Sequence, residues 1–314
     1  MGEFFVSVIE KGVRYAVMVQ SLLQMNTIFI SIIIEALPFI VLGVFISAVI
    51  QMFVTEEMIA KVMPKNRFLS IAFGTGMGAL FPACECGIVP ITERLVRKNV
   101  PLSAAIAFML TGPIINPVVI FSTFVAFGDS WKMALLRCGL AIFTAVLTAI
   151  AISYFFSENQ LREFVEAKLH HHGHDHEAHD KPNFLQKITG TIDHAIDEFF
   201  SVGKFLVFGG LISAAMQTFF RTSTLLSLGQ TKMAAILIMM LLAFIMSICS
   251  EADAFIASSF NGMFGTSAIL AFLVFGAMVD IKNLLMMMHS FKRKFVFSMI
   301  GLIIVFVFTG AFLI

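Results

Sequence analysis

The chain has 314 residues, 59% of them hydrophobic and 13% charged, with a mean hydropathy of +0.94. A soluble domain is about 45–50% apolar and about 25% charged, which excludes an ordinary cytosolic enzyme, a disordered chain, a collagen-like fibre and a secreted disulfide scaffold. The 21 basic and 20 acidic residues nearly cancel, so no nucleic-acid partner is expected, and 4 scattered Cys make no disulfide framework.

A membrane-crossing helix needs about 20 mostly apolar residues. Residues 1–26 carry an apolar run interrupted by Glu10, Lys11 and Arg14, which predicts an interfacial helix. No signal-peptide pattern is read there. Apolar segments follow at 27–54, 68–92, 102–127, 133–156, 199–220, 232–255, 266–288 and 294–314. Residues 27–156 make a first membrane half and 199–314 a second. Between them, 157–198 is a polar connector with His170, His171, His172, His174, His176 and His179, beside Asp175, Glu177 and Asp180. These imidazoles suit zinc, nickel or copper, but no spacing among them fixes a geometry. No other cofactor is expected. The sequence predicts an all-α, polytopic protein of the cell (inner) membrane with the lipid bilayer as its first partner.

The halves resemble each other. A shift of 166 residues sets Phe39–Gln51 on Phe205–Gln217 with 7 of 13 pairs identical. A shift of 165 sets Cys84 on Cys249. A shift of 164 sets Leu102–Gly112 on Thr266–Gly276 with 5 of 11 identical, and Asn116 on Asp280. Ordered blocks with a slowly drifting offset predict an internal duplication. Eight simple crossings would give parallel repeats, but would put Arg67 on the opposite side from Arg94, Arg97 and Lys98, against the positive-inside rule. If 68–92 and 232–255 break and return rather than cross, Arg67, Arg94, Arg97, Lys98, the connector and Lys292-Arg293-Lys294 share the cytoplasmic side. Each half then makes an odd number of crossings, and the repeats are inverted.

The first half contains Gly74, Gly76 and Gly78, then Pro82-Ala83-Cys84-Glu85-Cys86-Gly87, then Pro90. Glycine and proline predict a helix break here. Broken backbone at membrane depth is tolerated only where protein or a water-filled cavity satisfies it. Cys84 and Cys86 on an ideal helix would point about 200° apart, whereas on an unwound turn they can converge on one soft ion. The bland alternative is that both are small apolar fillers. A second break is expected at Gly112, Pro113, Asn116 and Pro117. In the second half, Glu251 and Asp253 follow Cys249, and Asp280 falls opposite Asn116. Carboxylates inside a membrane are costly and functional by default. The expected substrate site is therefore Cys84, Glu85, Cys86, Asn116, Glu251, Asp253 and Asp280. For Glu35 and Asp280 the bland alternative is a structural hydrogen bond between helices. Lys204 and Lys282 are expected to snorkel to the interface, leaving an interior that is acidic and soft.

Through Pro82–Pro90 and Thr111-Gly112-Pro113-Ile114-Ile115-Asn116-Pro117 the sequence resembles the predicted permease family that includes the ArsP-type organoarsenical exporters. Many of its members carry Cys-Ser-Cys-Gly where this chain has Cys84-Glu85-Cys86-Gly87. The resemblance implies a subgroup often encoded beside a second membrane protein, and a permease with Cys84 and Cys86 near its path. It does not imply the arsenical itself. Without a G-x-x-x-x-G-K-[ST] phosphate loop, coupling falls to an ion gradient or a partner. The expected function is non-enzymatic transport of a thiophilic metalloid compound or soft divalent metal. The alternatives are a membrane-embedded redox or metal-insertion subunit, and a non-transporting assembly subunit.

Overall fold

A chain this apolar must close its backbone hydrogen bonds within its own segments, and helices do so. The computed structural model describes residues 2–53, 58, 62–64, 66–80, 84–156, 160–161, 184–219 and 231–314. Among them lie α1 (Gly2–Phe53), α2 (Arg67–Leu80), α3 (Glu85–Arg97), α4 (Leu102–Ile115), α5 (Pro117–Ala126) and α6 (Trp131–Phe155). After the connector come α7 (Phe184–Phe219), α8 (Lys232–Met246), α9 (Asp253–Ser259), α10 (Thr266–Met278), α11 (Ile281–Ser290) and α12 (Arg293–Leu313).

Six stretches among the described residues are long and apolar enough to cross a membrane: Met18–Ile50, Leu102–Ala126, Trp131–Phe155, Ala195–Phe219, Thr266–Ser290 and Arg293–Leu313. The segments 68–92 and 232–255 do not run as single helices. The first is α2 and α3, and the second is α8, an irregular turn and α9. α8 has 15 residues, about 22 Å of helix against a hydrocarbon core of about 30 Å. Two expected boundaries are not marked by breaks. α1 passes through residue 26 without interruption, and α7 begins inside the 157–198 stretch. The six histidines of the connector and Pro82 lie outside the described residues.

Packing follows burial. The lines α4–α5 and α10–α11 are the most enclosed spans, with 78% and 89% of their apolar windows buried, as expected of helices hydrophobic all round. α6 and α12 turn Leu135, Ile142, Phe143, Phe297, Ile304 and Val305 outward, where lipid replaces water. α1 lies along α7, α6 along α12, and α4 touches α10. α3 meets α11, and α5 meets α9.

The ends of the helices fix their directions. Phe156, just past α6, stacks edge-on with Phe295 of α12 at 5.2 Å, and Lys292 N donates to Gln160 O at 3.0 Å. The end of α6 therefore meets the start of α12, and the two run antiparallel. Arg67, opening α2, lies 5.2 Å over the Tyr154 ring near the end of α6. Lys232, opening α8, lies 5.2 Å over the Phe312 ring at the end of α12. α2 and α8 thus start at opposite ends of the bundle.

The expected glycine breaks are corrected. Gly74, Gly76 and Gly78 sit inside the unbroken α2. A β-carbon on Gly74 would fall on the Ala104 carbonyl of α4, so this glycine serves helix–helix approach. With no water competing for the backbone, glycine alone does not open a helix in lipid. Gly87 and Pro90 lie inside α3, and Gly112 and Pro113 inside α4. Pro90 still withdraws the donor that would bond the Cys86 carbonyl, and Pro113 that for Met109. Pro117 opens α5 at the position where a missing N–H costs nothing.

Candidate functional site

Two broken turns meet at the centre. Cys84 is the N-cap of α3, in extended conformation (φ −78°, ψ 170°), and its carbonyl accepts from Gly87 N and Ile88 N at 3.2 and 3.1 Å. Cys249 stands before α9, and its carbonyl accepts from Ala252 N and Asp253 N at 3.0 and 2.9 Å. The two carbonyls thus accept in the same i+3 and i+4 pattern, one as the cap of α3 and the other in the turn that precedes α9. Because Cys84 is extended rather than helical, the two thiols of Cys84-Glu85-Cys86 are not splayed apart. Cys84 neighbours both Cys86 and Cys249. All three are free and buried.

The backbone opened by the second break is satisfied from α7. Gln217 Nε2 donates to Met246 O at 2.7 Å, and Ser213 Oγ donates to Ile245 O at 3.3 Å. Ser247 takes the left-handed conformation at φ 47°, a placement unfavourable by about 1–2 kcal/mol outside glycine. It is held there in part because its hydroxyl donates to Asp280 Oδ2 at 2.8 Å.

Asp280 and Asn116 do the same local work. Asp280 is the N-cap of α11, with Asn283 N donating to Oδ1 at 2.6 Å. Asn116 is the N-cap of α5, with Val119 N donating to its Oδ1 at 2.9 Å, while its own Nδ2 donates to Gly112 O at 3.1 Å. The oxygen and the nitrogen of the Asn116 amide are therefore both engaged with the backbone of its own kink. Asp280 keeps a second oxygen for the site.

The carboxylates divide into two kinds. Asp253 pairs with Arg137, whose Nη2 donates to Oδ2 at 2.8 Å. Asp280 pairs with Lys282, 3.5 Å from Nζ to Oδ2. Glu85 is fully buried and accepts from Ser250 Oγ at 3.3 Å on Oε2, while its Oε1 has no hydrogen-bond partner. Glu251 likewise has a buried, unpartnered Oε2. Unpartnered buried oxygens are costly and mark places where a cation or donor belongs. Among the described residues, no three Cys, His, Asp or Glu side chains close on one point as a metal cage.

Two cations change the expected picture. Lys282 does not snorkel; it is 1% exposed, because its helix begins inside the protein and its nearest counter-charge is two residues away. Lys204 is exposed. Arg137 went unrecognised in the sequence. From α6 its Nη1 donates to Thr123 Oγ1 at 2.8 Å, and its Nη2 donates also to the carbonyls of Ser250 and Leu273, each at 3.3 Å. It thereby ties α5, the second break, α9 and α10 together. Its signal was a guanidinium inside the apolar segment 133–156, since such a group in lipid demands a carboxylate partner. The interior is thus acidic with two buried counter-charges, rather than acidic alone.

A cavity among the described residues is of another kind. About 150 Å³ between α2, α3 and α4 is lined by Phe73, Met77, Ile91, Leu95, Ala105 and Phe108 among others. None of the site's thiols or carboxylates lines it.

Broken helices packed at the heart of a multi-pass helical bundle, with thiols and paired charges buried there, define a polytopic membrane protein of the permease class. The chain belongs to the ArsP_1 family, described as predicted permease, whose model matches residues 21–314. It is 57% identical over 294 residues to UPF0718 protein YcgR of Bacillus subtilis (strain 168), covering 94% of this chain and 98% of that one. It is 47% identical over 281 residues to a Streptococcus mutans protein named as a two-component membrane permease complex subunit, covering 90% of this chain and 91% of that one. A further relative, UPF0718 protein YraQ of Escherichia coli (strain K12), is 25% identical over 118 residues, 38% of this chain and 34% of the relative. No solved structure matches.

Proposed function

We propose that this chain is the transporting subunit of a two-protein permease in the cell membrane, and that its substrate is thiophilic, either a soft divalent metal ion or a metalloid compound. The observation that carries this reading is the meeting of Cys84, Cys86 and Cys249 at two facing helix breaks, beside carboxylates with unpartnered oxygens. Thiolates select soft ions, and no lipid-facing role explains buried carboxylates. With no closed cage, the thiols act by passing the substrate between them during transport rather than by storing it. The name of the Streptococcus mutans relative supports a second subunit.

The two halves are inverted repeats around this site. Cys84 and Glu85 contact Cys249 and Ser250, their own counterparts 165 residues on. Residues that touch their counterparts lie on a two-fold axis. Helices α2 and α8 are counterparts that start at opposite ends of the bundle, and α6 and α12 are counterparts that run antiparallel. Substrate sites between inverted repeats are a common transporter construction. The connector histidines serve as a metal-binding accessory outside the transport core.

The test is substrate flux. Vesicles holding this chain with its partner subunit should move cadmium, zinc or a trivalent methylarsenical, and substrate should protect Cys84 and Cys86 from maleimide. Flux unchanged in the Cys84→Ser/Cys86→Ser variant would refute the reading.

A further inference from the structure

A buried amine stands beside one of these carboxylates. Lys282 sits in the first turn of α11, a helix that packs against α3, the helix opened by Cys84. The residue is 1% exposed, and its ammonium lies 3.5 Å from Asp280 Oδ2. That oxygen already accepts from Ser247 at 2.8 Å, and Asp280 Oδ1 accepts from Asn283 N at 2.6 Å. The pair is long for an ion pair of this burial, and Asp280 is held by neighbours that do not depend on Lys282. The same ammonium stands within electrostatic range of Glu85, Cys86 and Cys249. The backbone under it is fixed, because Gly209 of α7 presses on Lys282, where a β-carbon would come within 2.8 Å of its Cα. Only the four-carbon stem is left to move.

We propose that Lys282 is a resident cation of the site, a specificity-determining residue that neutralises Asp280 and Glu85 until a positively charged substrate displaces it. This rests on the thiophilic reading above and adds the sign of the charge. A soft divalent cation gains the thiols and the carboxylates together only when the ammonium swings away. A metalloid oxyanion would instead be drawn to Lys282, and a neutral compound would be indifferent to it. Two like charges a few ångström apart in a medium of low dielectric repel strongly, so ammonium and metal ion do not share the site. Lys282 also keeps turnover possible, since returning to Asp280 it ejects the cargo.

The experiment is cadmium binding to the purified full chain, read by the ultraviolet absorption of the cadmium–thiolate bond, alongside cadmium flux in vesicles with the partner subunit. Lys282→Met and Lys282→Gln should bind cadmium about tenfold tighter than wild type or better, and move it more slowly, because the competing charge is gone and nothing expels the ion. Lys282→Arg should stay near wild type in affinity. Neutral variants that bind cadmium equally or more weakly overturn the inference while the thiophilic reading survives. Cadmium binding by none of the four proteins overturns both. If both neutral variants fail to fold while Lys282→Arg folds, the ammonium is a structural counter-ion, and the inference falls.

Discussion

Ser250 Oγ donates to Glu85 Oε2 at 3.3 Å. These two residues are 165 positions apart, the spacing that also sets Cys84 on Cys249, its neighbour. A hydroxyl in one half thus satisfies half of a buried carboxylate in the other. The contact joins the two breaks directly, and any movement of one half against the other must strain or break it.

The nearness of Cys84 and Cys249 is open to a direct check. In a Cys86→Ser/Cys138→Ser background, mild oxidation with copper-phenanthroline should link Cys84 to Cys249, seen as a cross-linked peptide by mass spectrometry. Soft cations should suppress the link. No cross-link under conditions that oxidise exposed thiols would place the breaks apart.

Arg137 and Asp253 form a buried pair at 2.8 Å. Removing one partner leaves the other charge uncompensated, which typically costs about 3–5 kcal/mol. Arg137→Ala and Asp253→Leu should each lower the thermal unfolding midpoint in detergent sharply. The double variant Arg137→Met/Asp253→Leu should recover much of the loss, because a neutral packed pair carries no desolvation penalty. An undisturbed midpoint in Arg137→Ala would remove the pair from the structural account.

Gly43 meets the backbone of Gly87 so closely that a β-carbon would come within 2.6 Å of it. Gly43→Leu should therefore push α1 off α3 and lower stability by about 1–3 kcal/mol, the usual range for overpacking. Gly139→Leu, whose β-carbon meets open space, is the matched control. Equal behaviour of the two variants in thermal unfolding would contradict the close approach.

Topology is accessible to reporter fusions. Lys292 pairs with Gln160 at 3.0 Å and Phe291 with Leu161 through an isolated bridge, so fusions at Gly173 and Lys292 should report the same side. The positive charges make that side the cytoplasm. Deleting residues 170–180 should leave insertion and folding intact while lowering metal capture from dilute solution. Opposite reporter locations would break the inverted arrangement.

The membrane class, the helical fold and the position of the thiol break were legible because each is a local property of the chain. Apolar content over 20 or so residues fixes the solvent, and Cys84 to Pro90 concentrates thiols, charge and a helix-disrupting proline in one short run. The break at 247–252 was harder to see, since α8 leads into it with no glycine or proline. What opens it is tertiary: Ser247 is held left-handed, and Gln217 and Ser213 of α7 take up its carbonyls. The glycines of α2 read as breakers but serve packing, because a helix in lipid keeps its hydrogen bonds where water would not compete for them. Composition and local pattern determined what kind of protein this is and which residues were candidates. Only the tertiary structure decided which charge faces which. Arg137 found Asp253, Lys282 stayed beside Asp280 and Asn116 turned to its own backbone. The Arg137–Asp253 pairing, 116 positions apart, depends on how helices cross, and no local pattern carries that distance.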